Sequence, residues 1–238
     1  MKAALYQGQG KIKISTLPDP ICTDDGVILE NIYASICGTD VAVYKHGTGL
    51  GHRITVGGEF GHEVVCSIKE KGKNVTNLSV GDRVYPYPRL VTGDKSRAGT
   101  IGGFSEYIKS PVTRNGVEVY KLSDKISDRT AVLIEPFTVG CRAARRAFPR
   151  QGENAIVFGA GTIGIGAAIA LKHFGCDKVM ICDYSDFRLE IARKLGFEVC
   201  NNSKEDLNQK AQTYFGQGYG YKGQTSDADI YIDAAGSD

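Results

Sequence analysis

The run AIVFGAGTIGIGAAIALKHFG, Ala155 to Gly175, decides the fold of this chain. Four apolar residues enter a glycine-rich turn, and small and apolar residues at helical spacing leave it. The run therefore reads as a buried strand, a tight turn and a helix ending at Gly175. Inside it, GAGTIG from Gly159 to Gly164 fits G-x-G-x-x-G. That pattern is weak alone and gains its meaning from the strand before it and the helix after it. Gly159 permits the tight turn, Gly161 lets the backbone approach a pyrophosphate, and Gly164 lets the helix pack close to the sheet. The exposed amides at the helix start, Thr162 and Ile163 among them, are placed to hold the phosphates.

The texture continues downstream. KVMICD reads as a second strand, DFRLEIARKLG as a second helix, FEVC as a third strand, KEDLNQKAQTYFG as a polar helix and ADIYIDAAG as a fourth strand. Alternation at this spacing predicts an α/β arrangement, a doubly wound parallel sheet with crossover helices. Asp183 ends the second strand, nineteen residues beyond Gly164. An acidic side chain there accepts hydrogen bonds from an adenosine ribose and repels a 2′-phosphate, so NAD is expected over NADP. Arg188 lies within sequence reach of the adenosine end, although a helix arginine facing solvent is its ordinary reading. GQGYGYKGQ, Gly216 to Gln224, reads as a surface loop.

Upstream the pattern differs. GVILENIYAS, EVVCSIKEKG and DRVYPYP are short alternating or apolar runs punctuated by glycine, proline and aspartate, and they read as strands. From Ser127, SDRTAVLIEPFTVGCRAARRAF turns helical, interrupted by Pro136. The expected division is a mostly-β domain over 1–150 and an α/β domain over 151–238.

Composition sets the outer limits. With 42% hydrophobic and 24% charged residues the chain is globular rather than disordered, and its formal net charge of +2 gives no nucleic-acid footprint. No apolar run is long enough for a membrane span, and the N-terminal MKAALYQGQGKIKI lacks the apolar core and cleavage site of a signal peptide. Seven cysteines without tight spacing disfavour a disulfide framework and suit reduced thiols in the cytoplasm.

Two further stretches carry metal-binding residue types. SICGTDVAVYKHG contains Cys37, and GGEFGHEVV contains His62, one of only four histidines. A catalytic zinc takes three protein ligands among thiolate, imidazole and carboxylate, with a fourth position open. Cys37 and His62 can supply two. Spacing leaves the third open, since Asp40, Glu59, Glu63 and Glu135 all qualify chemically.

Taken in order, ICGTDVAVYKHG, GGEFGHE, VGDRVYPYP, GGFSEY, LIEPFTVGCRAARRA and the GAGTIG region resemble the zinc-dependent branch of the medium-chain dehydrogenase/reductase superfamily, and most closely its sorbitol dehydrogenase-like polyol group. The resemblance covers nearly the whole chain. It implies an N-terminal GroES-like, mostly-β catalytic domain followed by a Rossmann domain, whose full sheet has six strands and continues beyond Asp238. By position, Cys37 and His62 match zinc ligands, and Glu63 matches an acid beside the metal that exchanges with a ligand. Glu135 matches the carboxylate that the polyol group has where other alcohol dehydrogenases have a cysteine. Thr39 matches a hydroxyl that relays the proton of a metal-bound alcohol, and Asp40 an acid that orients an imidazole.

Three features depart from the wider family or mark the polyol group. Ala42 stands where many members have a relay histidine, so the proton is expected to leave through water. His46 is placed like a histidine of sorbitol dehydrogenases, where a structural hydrogen bond is expected. The segment RLVTGDKSRAGTI, Arg89 to Ile101, lacks the four cysteines that bind a structural zinc in many relatives, which implies one zinc per chain. The implied activity is reversible hydride transfer between a secondary alcohol or polyol and NAD. Arg53 and Arg89 could meet the phosphate of a phosphorylated polyol, although both read first as surface arginines. The implied partners are a small-molecule substrate and further copies of the chain, as homodimers or homotetramers, with neither nucleic acid nor membrane. A zinc-free quinone or enone reductase on the same scaffold, or a non-catalytic nucleotide-binding remnant, are the competing readings.

Overall fold

A computed structural model describes residues 1–48, 54–91, 100–221 and 223–236. The chain separates into two compact units, Met1–Glu135 and Pro136–Asp238.

The first unit contains β1 (Lys2–Tyr6), β2 (Ile12–Thr16), β3 (Val27–Ser35), helix α1 (Gly38–His46), β4 (Glu63–Lys71), β5 (Arg83–Pro86), β6 (Tyr107–Ser110), β7 (Val119–Lys121) and the short α2 (Asp128–Ala131). Five strands form an antiparallel sheet in the order β6-β3-β4-β5-β7, and β1 pairs with β2. Val27, Leu29, Val64, Cys66, Ile68, Val84 and Ile108 converge in its core. The β-branched valines and isoleucines among them favour the pleated surface on which they sit. The three strand-like runs of the sequence are thus β3, β4 and β5.

The β3–β4 ladder brings the Cys37 and His62 stretches together. Its register pairs Ser35 with Glu63 at the end of both strands, with two irregularities farther along. Antiparallel pairing therefore carries Cys37, just past β3, to the same sheet end as His62, just before β4. Gly61 permits this approach: its φ is +90°, and an added Cβ would lie 2.7 Å from the Phe104 ring. Backbone bonds from Gly103 to Gly61 and from Phe104 to Phe60 then hold GGFSEY against the strand entry.

Helix α3 (Ile134–Arg146) begins at the end of the first unit. The division falls within this helix rather than near residue 150. The reason is local packing: an added Cβ on Gly140 would lie 2.4 Å from the carbonyl oxygen of Ile163, so the helix is seated against the glycine-rich segment.

The second unit then runs β8 (Ala155–Phe158), α4 (Thr162–His173), β9 (Val179–Asp183), α5 (Asp186–Lys194), β10 (Glu198–Asn201), α6 (Leu207–Phe215), β11 (Gln217–Gly220), β12 (Gly223–Ser226) and β13 (Ile230–Asp233). The sheet order β10-β9-β8-β13 is parallel throughout, the 3-2-1-4 sequence of a doubly wound fold. Val157, Ile181, Ala167, Leu171 and Leu189 form its core. Within the segment expected as a surface loop, Gln217–Gly220 and the start of Gly223–Ser226 pair instead as the antiparallel β11–β12 hairpin, Lys222 lying outside the described residues. Its glycines and polar residues hide the strand signal, because neither strand buries a regular apolar face. Among the described residues no helix is long and apolar enough to cross a membrane.

Candidate functional site

In the second unit, β8 delivers the chain into a turn at Gly159 with φ +99°. An added Cβ there would lie 2.7 Å from the carbonyl oxygen of Ala234. On Gly164 it would lie 1.8 Å from the carbonyl oxygen of Gly159, whereas beside Gly161 nothing stands within 4 Å. Two of the three glycines thus serve packing, and the third borders open space. Helix α4 starts at Thr162 with Gly161 as its N-cap and no side-chain cap, so its first amides, including those of Thr162 and Ile163, are offered outward.

A cavity of about 440 Å³ opens there, lined in part by Gly159, Gly161, Asp183, Tyr184, Arg188 and Asn202. Asp183 accepts hydrogen bonds from the amides of Ala160 at 2.7 Å and Ser185 at 2.8 Å. Arg188 Nη1 lies 3.9 Å from Asp183 Oδ2. Burial works against the carboxylate charge, but the two amides and Arg188 outweigh it and hold the carboxyl below its usual range. Tyr184 and Asn202 escaped the sequence reading. The place of Tyr184 directly after Asp183 was the available signal.

In the first unit, Cys37, His62 and Glu63 each offer a donor atom, and these atoms all lie within 4.8 Å of one another. Among the described residues this is the one group of three or more histidine, cysteine and acidic side chains close enough to hold a metal ion. Cys37 is the N-cap of α1. Its amide donates to Asp40 Oδ2 at 2.9 Å, and Asp40 Oδ1 faces His62 Nδ1 across 3.8 Å. Asp40 thus ties the thiol-bearing turn to the imidazole. Glu63 is buried, and its Oε2 accepts a hydrogen bond from the Ser35 hydroxyl, its register partner across β3 and β4.

Thr39 stands in the first turn of α1, half-buried, with its backbone and hydroxyl both near enough to the Cys37 thiol to favour its ionised form. Burial pushes that thiol up, Thr39 pulls it down, and Glu63 raises it further. Glu135 is not one of the three converging donors, but it shares their field. Burial raises its carboxyl, His62 opposes, and Glu63 and Asp40 add to the rise. Several acids share little positive charge here, and a divalent cation would relieve the crowding. The buried Tyr85 feels Glu135 and is itself raised, chiefly by burial. Sequence reasoning missed both Ser35 and Tyr85; strand register alone could have flagged Ser35. His46 and Arg89 are exposed, and Arg53 lies outside the described residues.

Residues 23–124 match the alcohol dehydrogenase GroES-like domain, and residues 162–238 match the zinc-binding dehydrogenase family. The chain is 31% identical over 231 residues to sorbitol dehydrogenase of Bacillus subtilis (strain 168), a match covering 90% of this chain and 64% of that protein. It is 32% identical over 222 residues to L-threonine 3-dehydrogenase of Marinomonas sp. (strain MWYL1), covering 86% of this chain and 63% of that one. The solved structure of 2R,3R-butanediol dehydrogenase from Bacillus subtilis superposes with a TM-score of 0.81 at 27% identity, covering 99% of this chain and 70% of the other. The chain therefore spans somewhat under two thirds of the length of these two sequence relatives.

Proposed function

We propose, for a chain that belongs to the zinc-dependent medium-chain dehydrogenase/reductase family, that it is an oxidoreductase moving a hydride between a secondary alcohol or polyol and NAD. The convergence of thiol, imidazole and carboxylate donors at Cys37, His62 and Glu63 carries this reading. Sulfur, nitrogen and oxygen donors in one small cluster are the mixture that zinc takes. When bound, zinc supplies Lewis acidity, which lowers the pKa of a hydroxyl beside it, and NAD accepts the hydride.

The chain's own residues do the rest. Asp40 orients the His62 ring, and Thr39, next to the thiol, receives the proton of the alcohol. Ala42 offers no onward relay, so the proton leaves to water. Glu63 is the third ligand, and Glu135 is the second carboxylate within its field. Asp183 takes the ribose hydroxyls and turns away a 2′-phosphate, which selects NAD over NADP. Arg188 borders the adenosine end. One zinc per chain is part of the proposal, supported by the absence of cysteine from Arg89 to Ile101; positions 92–99 of that segment lie outside the described residues.

Sorbitol, threonine and butanediol, the substrates in the relatives' names, each carry a secondary hydroxyl, and that group bounds the substrate class proposed here. The proposal includes a cytoplasmic location, assembly into homodimers or homotetramers, and no nucleic-acid or membrane partner. Its test is a panel of sugar alcohols, their phosphates, short diols and threonine, assayed with NAD on the purified native protein alongside elemental analysis. Turnover on this panel with one zinc per chain is expected. Robust reduction of quinones or enones by a zinc-free protein would overturn it.

A further inference from the structure

The carboxylate of Asp183 does not stand free at the mouth of its cavity. Oδ2 accepts the amide of Ala160, the middle residue of Gly159-Ala160-Gly161, at 2.7 Å. Oδ1 accepts the amide of Ser185 at 2.8 Å. One residue earlier on β9, the Cys182 carbonyl accepts the amide of Gly159 at 2.7 Å. The end of β9 therefore grips the glycine-rich turn twice, once through backbone and once through this side chain. Ala160 is buried, and its amide has no partner in the β8–β9 ladder, which ends at Phe158 and Cys182.

An ionised carboxylate has about four lone-pair positions. Two are used by the amides, and Asp183 lines the cavity beside Arg188, whose Nη1 lies 3.9 Å from Oδ2. Two vicinal hydroxyls match that remaining capacity. The Ala160 amide, turned to Asp183, is withdrawn from phosphate contact, which leaves the phosphates to the start of α4.

From this geometry we propose that Asp183 is a positioning residue for the phosphate-binding turn as well as the ribose acceptor, so that ribose and pyrophosphate recognition are coupled through one side chain. The inference rests on the nucleotide-binding reading above. It differs from a ribose contact alone in one respect: removing Asp183 should weaken a ligand that has no ribose hydroxyls to read.

The test compares ADP with 2′,3′-dideoxy-ADP by calorimetry on the full chain, using Asp183→Asn and Asp183→Ala. Both variants lack the charge, so relief of repulsion towards the diphosphate is common to both. Only asparagine keeps an oxygen that can accept the Ala160 amide. We expect dideoxy-ADP to bind Asp183→Ala more weakly than Asp183→Asn by about three- to tenfold, the worth of one hydrogen bond. Equal dideoxy-ADP affinities in the two variants, with ADP weakened in both, would overturn the positioning role and leave the nucleotide reading standing. Failure of the unaltered protein to bind ADP at all would remove that reading and this inference with it. Should Asp183→Ala not fold, the unaltered protein still decides by NMR. The amide protons of Ala160 and Ser185 should both shift with the titration of the Asp183 carboxyl, and a silent Ala160 amide would overturn the proposal.

Discussion

Cys37, His62 and Glu63 stand or fall together, because each reaches the cluster through its neighbour. Asp40 bonds the amide of Cys37 and faces His62, while Ser35 bonds Glu63. Cys37→Ala should therefore remove bound zinc and dehydrogenase activity together, measured by elemental analysis and NAD reduction on one preparation. Retention of stoichiometric zinc would refute the ligand assignment. Ser35→Ala tests the support rather than the ligand. Freed from its hydroxyl partner, Glu63 should hold metal about 10- to 100-fold more weakly in chelator competition, the usual penalty for losing an outer hydrogen bond. Unchanged retention would show that Ser35 plays no part. Asp183→Ser should narrow the proposed preference for NAD over NADP, chiefly by weakening NAD, and an unaltered kcat/KM ratio would remove Asp183 from selectivity. Cys37 and His62 stood out in the sequence as metal-binding residue types, but only the resemblance carried by the ordered motifs singled them out as ligands, whereas Asp183 followed from its place at a strand end nineteen residues beyond Gly164. Ser35 was not legible, since its role comes from facing Glu63 across a ladder whose register includes two irregularities.

At the scale of elements, the glycine-rich turn separates packing from ligand approach at neighbouring positions. A methyl group on Gly164 would meet the Gly159 carbonyl oxygen at 1.8 Å, so α4 must move off the sheet. Gly164→Ala should destabilise the chain by about 1–3 kcal/mol, the common penalty for forcing atoms into a filled space, read as a lower unfolding midpoint. Gly161→Ala meets nothing within 4 Å and should stay within about 0.5 kcal/mol of the parent, yet bind ADP more weakly. If both variants behaved alike in unfolding, the assignment of the two glycines would be wrong. These elements could be read in advance because local pattern and tertiary role agree: AIVF is apolar and buried, and TIGIGAAIALKH is small-residued where it packs. The β11–β12 hairpin shows the opposite case. Gly218, Gly220 and Gly223 interrupt its pattern, and its pairing depends on partners within the hairpin rather than on an apolar face.

Across the whole molecule, carboxylates with depressed pKa values are spread through both units, and they set the response to acid. In the first unit, the Lys121 ammonium holds Asp82 below its usual range, and the Arg114 guanidinium does the same for Glu118. In the second, burial opposes the charge of Asp183 but the amides of Ala160 and Ser185 prevail, while Lys210 lowers Glu205. A folded pKa below the unfolded value means that the native state binds fewer protons at intermediate acidity. The stabilisation from these groups is therefore complete above their unfolded values near about pH 4. It is lost as pH falls through the depressed folded values. Glu135 has the opposite sign, because burial, together with Glu63 and Asp40, raises it. Acid relieves its penalty, but it is one group against these four, and Asp19 and Asp186 are depressed as well. The metal-free chain should accordingly lose thermal stability between about pH 4 and pH 2, with a steeper loss than in Asp82→Asn or Glu118→Gln, which each lack one depressed group. Unfolding midpoints measured through that window decide the matter, and a midpoint that held steady or rose on acidification would contradict this balance of charges.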